Sequence, residues 1–506
     1  MRKFAIATLA LLIVVGLLFW WNRKPTRQPL HATFHHACPE LAGFICTDNP
    51  LEQIYPNQNA CRLIHQIPEE LRNLPYAIYP TDWDYDTLRF DFNKRFNKFP
   101  HAILAPRTNE ELIQTVKLLR KHQVDFSIRG GGHSYETASL SPGYTIDLKE
   151  FDTIKLNIEQ EEVYVGAGCR LGTVLEALGK VDYTIPTGTC QSVGTMGLAL
   201  GGGIGLLLRQ FGLTCDSIKK IALLTADCQI IEVDETHHPD LFWALRGAGN
   251  GSYGVVIGMT FKMYHVPHVT YFRMEWDWDS QIIPHIFEIW EDWCQNLPTS
   301  ITPQLRMWHL NGKPHIAIIG LHIGAEEEQN WEAKFKQLAP RVSMHKGRFI
   351  DMAKYWTGVT SSPFCKAKSK ILTQPLSAEL IQKITHLFQN FDKGHYMYFE
   401  FGAFGGNLSR TDTAFYPRNA LGWWYLASYW NDQENDSVAL NTLREFYEDI
   451  SDLTSPHSYA NTVDYDLGAN YLNAYYGNHV DRLIQIKNQY DPENVFHWQQ
   501  SIPLSR

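Results

Sequence analysis

The sequence predicts an α+β protein of more than one domain, and three observations carry that reading. First, Val124–Ile128 alternates apolar and polar residues like a half-buried strand and runs into Arg129-Gly130-Gly131-Gly132-His133-Ser134-Tyr135-Glu136. Second, seven glycines fall within the eighteen residues from Gly188 to Gly205. Third, beyond about residue 270, helix-like runs such as Ile282–Trp293 alternate with strand-like runs such as His315–Leu321 and Tyr396–Phe401. A chain of 506 residues also exceeds one ordinary domain. Glycines at these densities let backbone lie against something flat or charged. The first cluster suits a diphosphate, with Arg129 and Ser134 as flanking donors. His133, held by backbone at the end of that turn, could serve as a base, a ligand or an attachment point.

Composition narrows the class. Hydrophobic residues make up 44% and aromatics 13%, enough for large cores. A net charge of -9 gives no reason to expect nucleic acid as a partner. The nine cysteines include no CxxC pair, so neither a zinc framework nor any other metal site is expected. Cys38, Cys46 and Cys61 cluster early, and two of them would form a disulfide in an oxidising compartment. Phe4–Trp21 is an 18-residue run without a charge. As a helix it is about 27 Å long, just enough for a bilayer. Arg2 and Lys3 precede it, and Trp20-Trp21 close it like an interface belt. With no small-residue cleavage signal after it, residues 1–24 read as an anchor rather than a cleaved signal, with the body outside the cytoplasm or secreted.

In chain order, residues 25–94 read as a tether and N-terminal extension. Thr108 or Asn109 caps a helix carrying Leu112, Ile113, Val116 and Leu119 on one face, and Glu110 and Glu111 suit its positive end. Tyr144–Leu148 and Val163–Val165 read as strands, Leu171–Gly179 as a helix, and Ile218–Leu224 with Ile230–Val233 as a hairpin. Gly249–Gly254 spells GxGxxG, but it precedes the strand-like Val255–Phe261 instead of opening a helix, which excludes a dinucleotide Rossmann reading.

Three blocks, Arg129–Glu136, Gly188–Asp216 and Tyr471–Pro503, share order and wording with a known family. They resemble the berberine bridge enzyme-like flavoproteins of the vanillyl-alcohol oxidase/p-cresol methylhydroxylase superfamily. The likeness runs over residues 90–505. It takes in Asp240–Gly254, Gly405-Gly406, Ala414-Phe415-Tyr416-Pro417-Arg418 and the closing Tyr490-Asp491-Pro492-Glu493-Asn494-Val495-Phe496. The resemblance implies a two-part FAD-binding domain, residues 95–270 plus a returning segment 456–506. It also implies a substrate domain, 271–455, with a large antiparallel sheet backed by helices. It implies bicovalent FAD, joined through His133 at the 8α-methyl and Cys190 at C6. Arg129, Gly130, Gly131, Gly132 and Ser134 would bind the diphosphate. Gly194, Gly197, Gly201, Gly202, Gly203, Gly205, Val255 and Asn473 complete the implied cofactor-binding set. Val193 matches the position over the oxygen-reactive flavin face, where a small side chain goes with oxidases.

Tyr471, in Tyr471-Leu472-Asn473, is matched to the family's Tyr-x-Asn segment and expected to help remove a substrate hydroxyl proton; Glu400 could share the role of base. Tyr396 and Tyr398 would point the same way as Glu400 along a strand. Trp423, Trp424 and Trp430 could offer faces to a sugar. Thr137 stands where the family usually has Gly, and Asp227-Cys228 where Ala-Asp-Gly is usual. The expected function is an FAD-dependent oxidase of alcohol groups on a carbohydrate or secondary metabolite, passing hydride to flavin N5 and electrons to O2. Its alternatives are a membrane-anchored dehydrogenase serving a quinone or cytochrome, and a flavin-bearing binding protein without turnover.

Overall fold

The computed structural model describes residues 66–505 except 311, 325–330, 357–362, 392–394 and 411. The apolar run Phe4–Trp21 and the cysteines at 38, 46 and 61 lie outside the described residues. Among the described residues no helix is long and apolar enough to cross a membrane. The chain divides into two units, Met1–Pro75 and Tyr76–Arg506. In the first, the helix Glu69–Arg72 buries Leu71.

In the second unit, β1 (Ala77–Ile78), β2 (Ala102–Leu104), β3 (Phe126–Arg129) and β4 (Tyr144–Asp147) form a sheet of order β1-β2-β4-β3. β4 runs parallel to both β2 and β3, and helix α1 (Asn109–Lys121) makes the crossover between β2 and β3. Of the two candidate caps, Thr108 is the one used: its side chain accepts from the Glu111 backbone N–H at 3.2 Å. Leu112, Val116 and Leu119 are buried as the spacing requires, Thr115 joins them, and Ile113 is only half-buried.

A second sheet holds β5 (Ile154–Asn157), β6 (Glu162–Gly166), β8 (Ile218–Leu224), β9 (Ile230–Val233) and β10 (Val255–Lys262), in the order β5-β6-β10-β8-β9, all antiparallel. A two-stranded ribbon of β7 (Tyr183–Thr184) and β11 (Tyr264–His265) lies beside it in sequence. β8 and β9 are the expected hairpin. β10 is the central strand that the GxGxxG stretch leads into.

The third sheet is antiparallel and seven-stranded: β12 (Val269–Trp276), β13 (Ile301–Leu310), β14 (Lys313–Ile323), β15 (Arg341–Gly347), β16 (Phe364–Leu372), β17 (Tyr396–Ala403) and β18 (Gly422–Trp430), ordered β15-β12-β14-β13-β17-β18-β16. Helices α2 (Ile283–Gln295), α3 (Ala378–Asn390) and α4 (Asp436–Ser451) supply the rest of its main core. The two-residue period of a strand sorts its side chains. Leu305, Met307, Phe399, Phe401, Trp424 and Leu426 enter the helix-backed core. Their neighbours Arg306, Tyr398, Glu400, Trp423 and Tyr425 face the other way.

The tail returns to the second sheet's side of the molecule. Lys487, fully buried, donates to the Ser252 and Phe496 carbonyls, both at 2.7 Å, and pairs with Asp491 at 2.6 Å.

Residue 94 is not a boundary. Leu88–Lys98 forms a strap along the histidine loop. Phe92 N–H donates to the Gly132 carbonyl at 2.7 Å, Asn93 Nδ2 to the Tyr135 carbonyl at 2.6 Å, and Lys98 Nζ to the carbonyls of Thr137 and Leu140 at 3.0 and 2.8 Å. Arg95 pairs with Glu136 at 2.7 Å.

Within this loop Thr137 has φ of 50°, is fully buried, and its hydroxyl meets no hydrogen-bond partner among the described residues. A β-branched residue is poorly suited to that region. Thr137→Gly is therefore expected to stabilise the fold by about 1 kcal/mol. Denaturant titration checks this, and an unchanged or lower midpoint would count against it.

Candidate active site

The two glycine stretches meet backbone to backbone. A methyl group added to Gly131 would collide with the backbone of Gly194, and one added to Gly194 with Gly131. Only glycine allows this approach, and it sets His133 beside Cys190. The Cys190 sulfur is 3.8 Å from His133 Nε2, and Ser192 Oγ is 3.1 Å from each. Phe92 stacks on the His133 ring at 3.8 Å between centroids. Burial pushes the His133 pKa down to about 4, its own backbone opposes the fall, and Arg170 adds to it. The imidazole is neutral at pH 7 and has a lone pair to offer.

Both residues border a cavity of about 610 Å³, well inside the usual range for ligand sites, about 300–1,000 Å³. Gly130, Gly131, Gly132, Ser134, Val193, Gly194 and Gly197 border it too. Phe126, Phe496 and Trp498 also stand in its wall, and the face of the third sheet turned away from its helices supplies Arg306, Tyr396, Tyr398 and Glu400. A cavity with a glycine cradle, backbone N–H groups and aromatic walls fits a dinucleotide flavin; methyl groups at Gly131 and Gly194 would break up the cradle.

The sheet wall carries its own polar cluster. Arg306 lies across from Glu400, and Glu400 from Tyr425, in the strand register. Arg306 Nε stands 2.9 Å from Glu400 Oε2, and the Tyr398 hydroxyl donates to the same oxygen. Burial raises the Tyr398 pKa well above the ordinary phenol value, so Tyr398 stays protonated as a donor. Of the three tryptophans offered as sugar platforms, Trp423 alone borders the cavity. Trp424 is in the helix-backed core and Trp430 is buried, donating to Asp436 at 2.5 Å.

Several expected site residues stand elsewhere. Arg129 does not border the cavity: it is buried, pairs with Asp147 at 2.8 Å and donates to the Leu88 carbonyl at 2.6 Å. Its alternating partner position on β3 turns it from the ligand side towards β4. The glycines of the second stretch divide. Gly201 packs on Asn461, Gly202 on Phe415, Gly203 on Thr214 and Gly205 on the Thr187 carbonyl, while Leu200 and Ile204 border the cavity. Val255 is also off the wall, because strand alternation gives that place to Gly254 and Val256.

Tyr471 opens a short helix, Tyr471–Tyr476, and donates to the Ser501 carbonyl at 2.7 Å; neither it nor Asn473 borders the cavity. The sequence spells Tyr-x-Asn at other places too, and one copy lies twelve residues earlier, at Tyr459-Ala460-Asn461. Tyr459 and Asn461 do border it. The Tyr459 oxygen accepts from Gly203 N–H at 3.0 Å, Ile204 N–H at 3.3 Å and Asn461 Nδ2 at 2.8 Å. Burial pushes its pKa up to about 12, against the downward pull of those three donors.

Similarity to known proteins fits this arrangement. Residues 100–234 match the FAD binding domain family and residues 458–503 the berberine and berberine-like family. The chain is 32% identical over 437 residues to the uncharacterized FAD-linked oxidoreductase YgaK of Bacillus subtilis, covering 84% of this chain and 96% of that one. The chain belongs to the berberine bridge enzyme-like FAD-linked oxidoreductases. It is 26% identical over 487 residues to reticuline oxidase of Eschscholzia californica, covering 85% and 89% of the two chains. The solved structure of Physcomitrella patens BBE-like 1 superposes with a TM-score of 0.78 at 27% identity, over 85% of this chain and 97% of that one. This oxidoreductase therefore has the two-part flavin-binding fold with a large antiparallel sheet, and FAD is its cofactor.

Proposed function

We propose that this oxidoreductase oxidises an alcohol group of a carbohydrate or secondary metabolite and returns the electrons to O2, with FAD held through both His133 and Cys190. The observation that carries the reading is the convergence of three N–H donors on the Tyr459 oxygen in the wall of the same cavity as His133, Cys190 and Glu400. A neutral phenol has two lone pairs and its own proton, whereas a phenolate can take three donors. The three donors therefore stabilise the ionised form, the state that removes the substrate hydroxyl proton, while burial opposes it and keeps the phenol mostly protonated at neutral pH. FAD supplies the two-electron acceptor for the substrate C–H bond. The Glu400–Tyr398–Arg306 cluster can hold a second substrate hydroxyl, and Trp423 offers an aromatic face beside it. Val193, small and on the cavity wall, leaves O2 an approach.

Oxygen uptake with H2O2 formation across a panel of sugars and alcohols tests the acceptor and the substrate class together. Reduction of a quinone or dye without oxygen uptake would refute the oxidase reading. The base has its own signature. With its pKa near about 12, Tyr459 is mostly protonated at neutral pH, and its ionised fraction grows about tenfold per pH unit. kcat/KM is expected to climb with pH from about 7 to about 9, by up to tenfold per unit. A profile flat over that range would move the base role to Glu400.

A further inference from the structure

Ser192 sits behind the cavity wall, between the two residues proposed as tether points. Its hydroxyl is 3.1 Å from the Cys190 sulfur and 3.1 Å from His133 Nε2. Its backbone is fixed from outside, because Arg170 Nη1 donates to the Ser192 carbonyl at 2.9 Å. Phe92, stacked on the imidazole, limits how far that ring can tilt away. A serine hydroxyl has one proton to give, and a neutral imidazole nitrogen with no proton can only accept. With the His133 proton on Nδ1, the group can run in one direction: Cys190 S–H donates to Ser192 Oγ, and Ser192 O–H donates to His133 Nε2.

We propose that Ser192 is a positioning residue for cofactor attachment, passing the Cys190 thiol proton to His133 Nε2 so that the sulfur can bond to the flavin. This rests on the bicovalent reading above. The balance is as follows. The S–H bond breaks and its proton goes to Ser192 Oγ, while the hydroxyl's own proton moves to Nε2. A bond forms between sulfur and a flavin ring carbon, and the hydrogen on that carbon leaves as a proton. The two electrons given up by the new bond's partners pass to O2, which becomes H2O2. The His133 bond is made by the other ring nitrogen, Nδ1, whose proton does not leave through the Ser192 hydroxyl. Loss of the hydroxyl should therefore fall on one tether and spare the other.

Mass spectrometry of proteolytic peptides from the flavin-loaded full chain reads both tethers in the same molecules. In the wild type, flavin is expected on both the Cys190 and the His133 peptides. In Ser192→Ala, Cys190 occupancy at a fixed time after loading is expected to fall at least about tenfold relative to His133 occupancy, and Ser192→Thr, which keeps a hydroxyl, should restore it. The ratio within one sample is insensitive to how much protein folds or loads. Ser192→Gly removes the same hydroxyl while leaving the carbonyl that Arg170 holds, and decides the matter if the alanine variant does not accumulate. An unchanged ratio in the variants beside a doubly tethered wild type would overturn the role of Ser192 alone. A wild type with FAD bound but no flavin on Cys190 would overturn the bicovalent reading, and this inference with it.

Discussion

Tyr459→Phe is expected to lower kcat by about 10²- to 10⁴-fold while leaving FAD bound. The change removes one oxygen and keeps the ring, so the aromatic packing with Trp423 and Phe415 survives. Three N–H donors, from Gly203, Ile204 and Asn461, lose their acceptor, and two of those belong to the backbone of the second glycine stretch. Some stability goes with them, about 1 kcal/mol for each donor left buried without a partner. The kinetic loss should exceed what that accounts for, and the rise of kcat/KM with pH should flatten. Tyr471→Phe is the control. Its hydroxyl reaches only the Ser501 carbonyl, so it should cost about 1 kcal/mol of stability and leave kcat within about twofold. Stopped-flow flavin reduction separates the two variants. If Tyr471→Phe slows reduction and Tyr459→Phe does not, the assignment is reversed.

Why the sequence does not say which tyrosine borders the cavity is a matter of degeneracy. Tyr-x-Asn occurs in the tail at 459, 471 and 476, and nothing in the residues around them says which copy faces the cavity. Only the tail's path, with Tyr459 tucked under Gly203 and Ile204, decides it. The glycine stretches were legible as ligand-wrapping backbone because glycine density has one physical meaning. Which glycines touch the ligand was not, since a residue with no side chain gives no facing signal. Gly197, where an added methyl meets nothing within 4 Å, borders the cavity, while Gly203 is filled against Thr214. Arg129 was misplaced for a related reason. A cation beside a glycine turn suggests an anion to bind, but here Asp147, directly across the β3–β4 register, is that anion. The start and most of the buried face of the helix Asn109–Lys121 are readable because its cap, charges and apolar period are all local. The Leu88–Lys98 strap is invisible in the sequence because the bonds that fix it to the histidine loop are to residues dozens of positions away. The roles proposed for Arg306 and Ser192 likewise depend on what pairing and loop contact bring beside them.

Lys366→Met should destabilise the second unit by about 3–5 kcal/mol, the usual consequence of leaving buried charges without their partner. Lys366 is 1% exposed on β16. Its ammonium reaches Glu136 of the histidine loop, Asp464 of the tail at 2.5 Å and Asp466 at 3.5 Å. Burial works to lower its pKa, yet Asp464 and Glu136 prevail and hold it above the ordinary lysine value. One ammonium thus ties the loop that carries His133 to the segment that carries Tyr459, and both to the third sheet. Lys368 stays with Asp464 at 2.8 Å, and Arg95 with Glu136, so neither carboxylate is wholly abandoned in the variant. That residual pairing places the expected cost towards the lower end of the range. Because the connection joins the two halves of the cavity wall, flavin content should fall along with stability, and the tail should become sensitive to protease at concentrations the wild type resists. Adding Glu136→Gln and Asp464→Asn to Lys366→Met should deepen the loss, since Arg95 and Lys368 then lose the carboxylates they still held. Denaturant unfolding of the single and triple variants measures both claims. A single variant within about 1 kcal/mol of wild type would mean that the three segments are held together without Lys366.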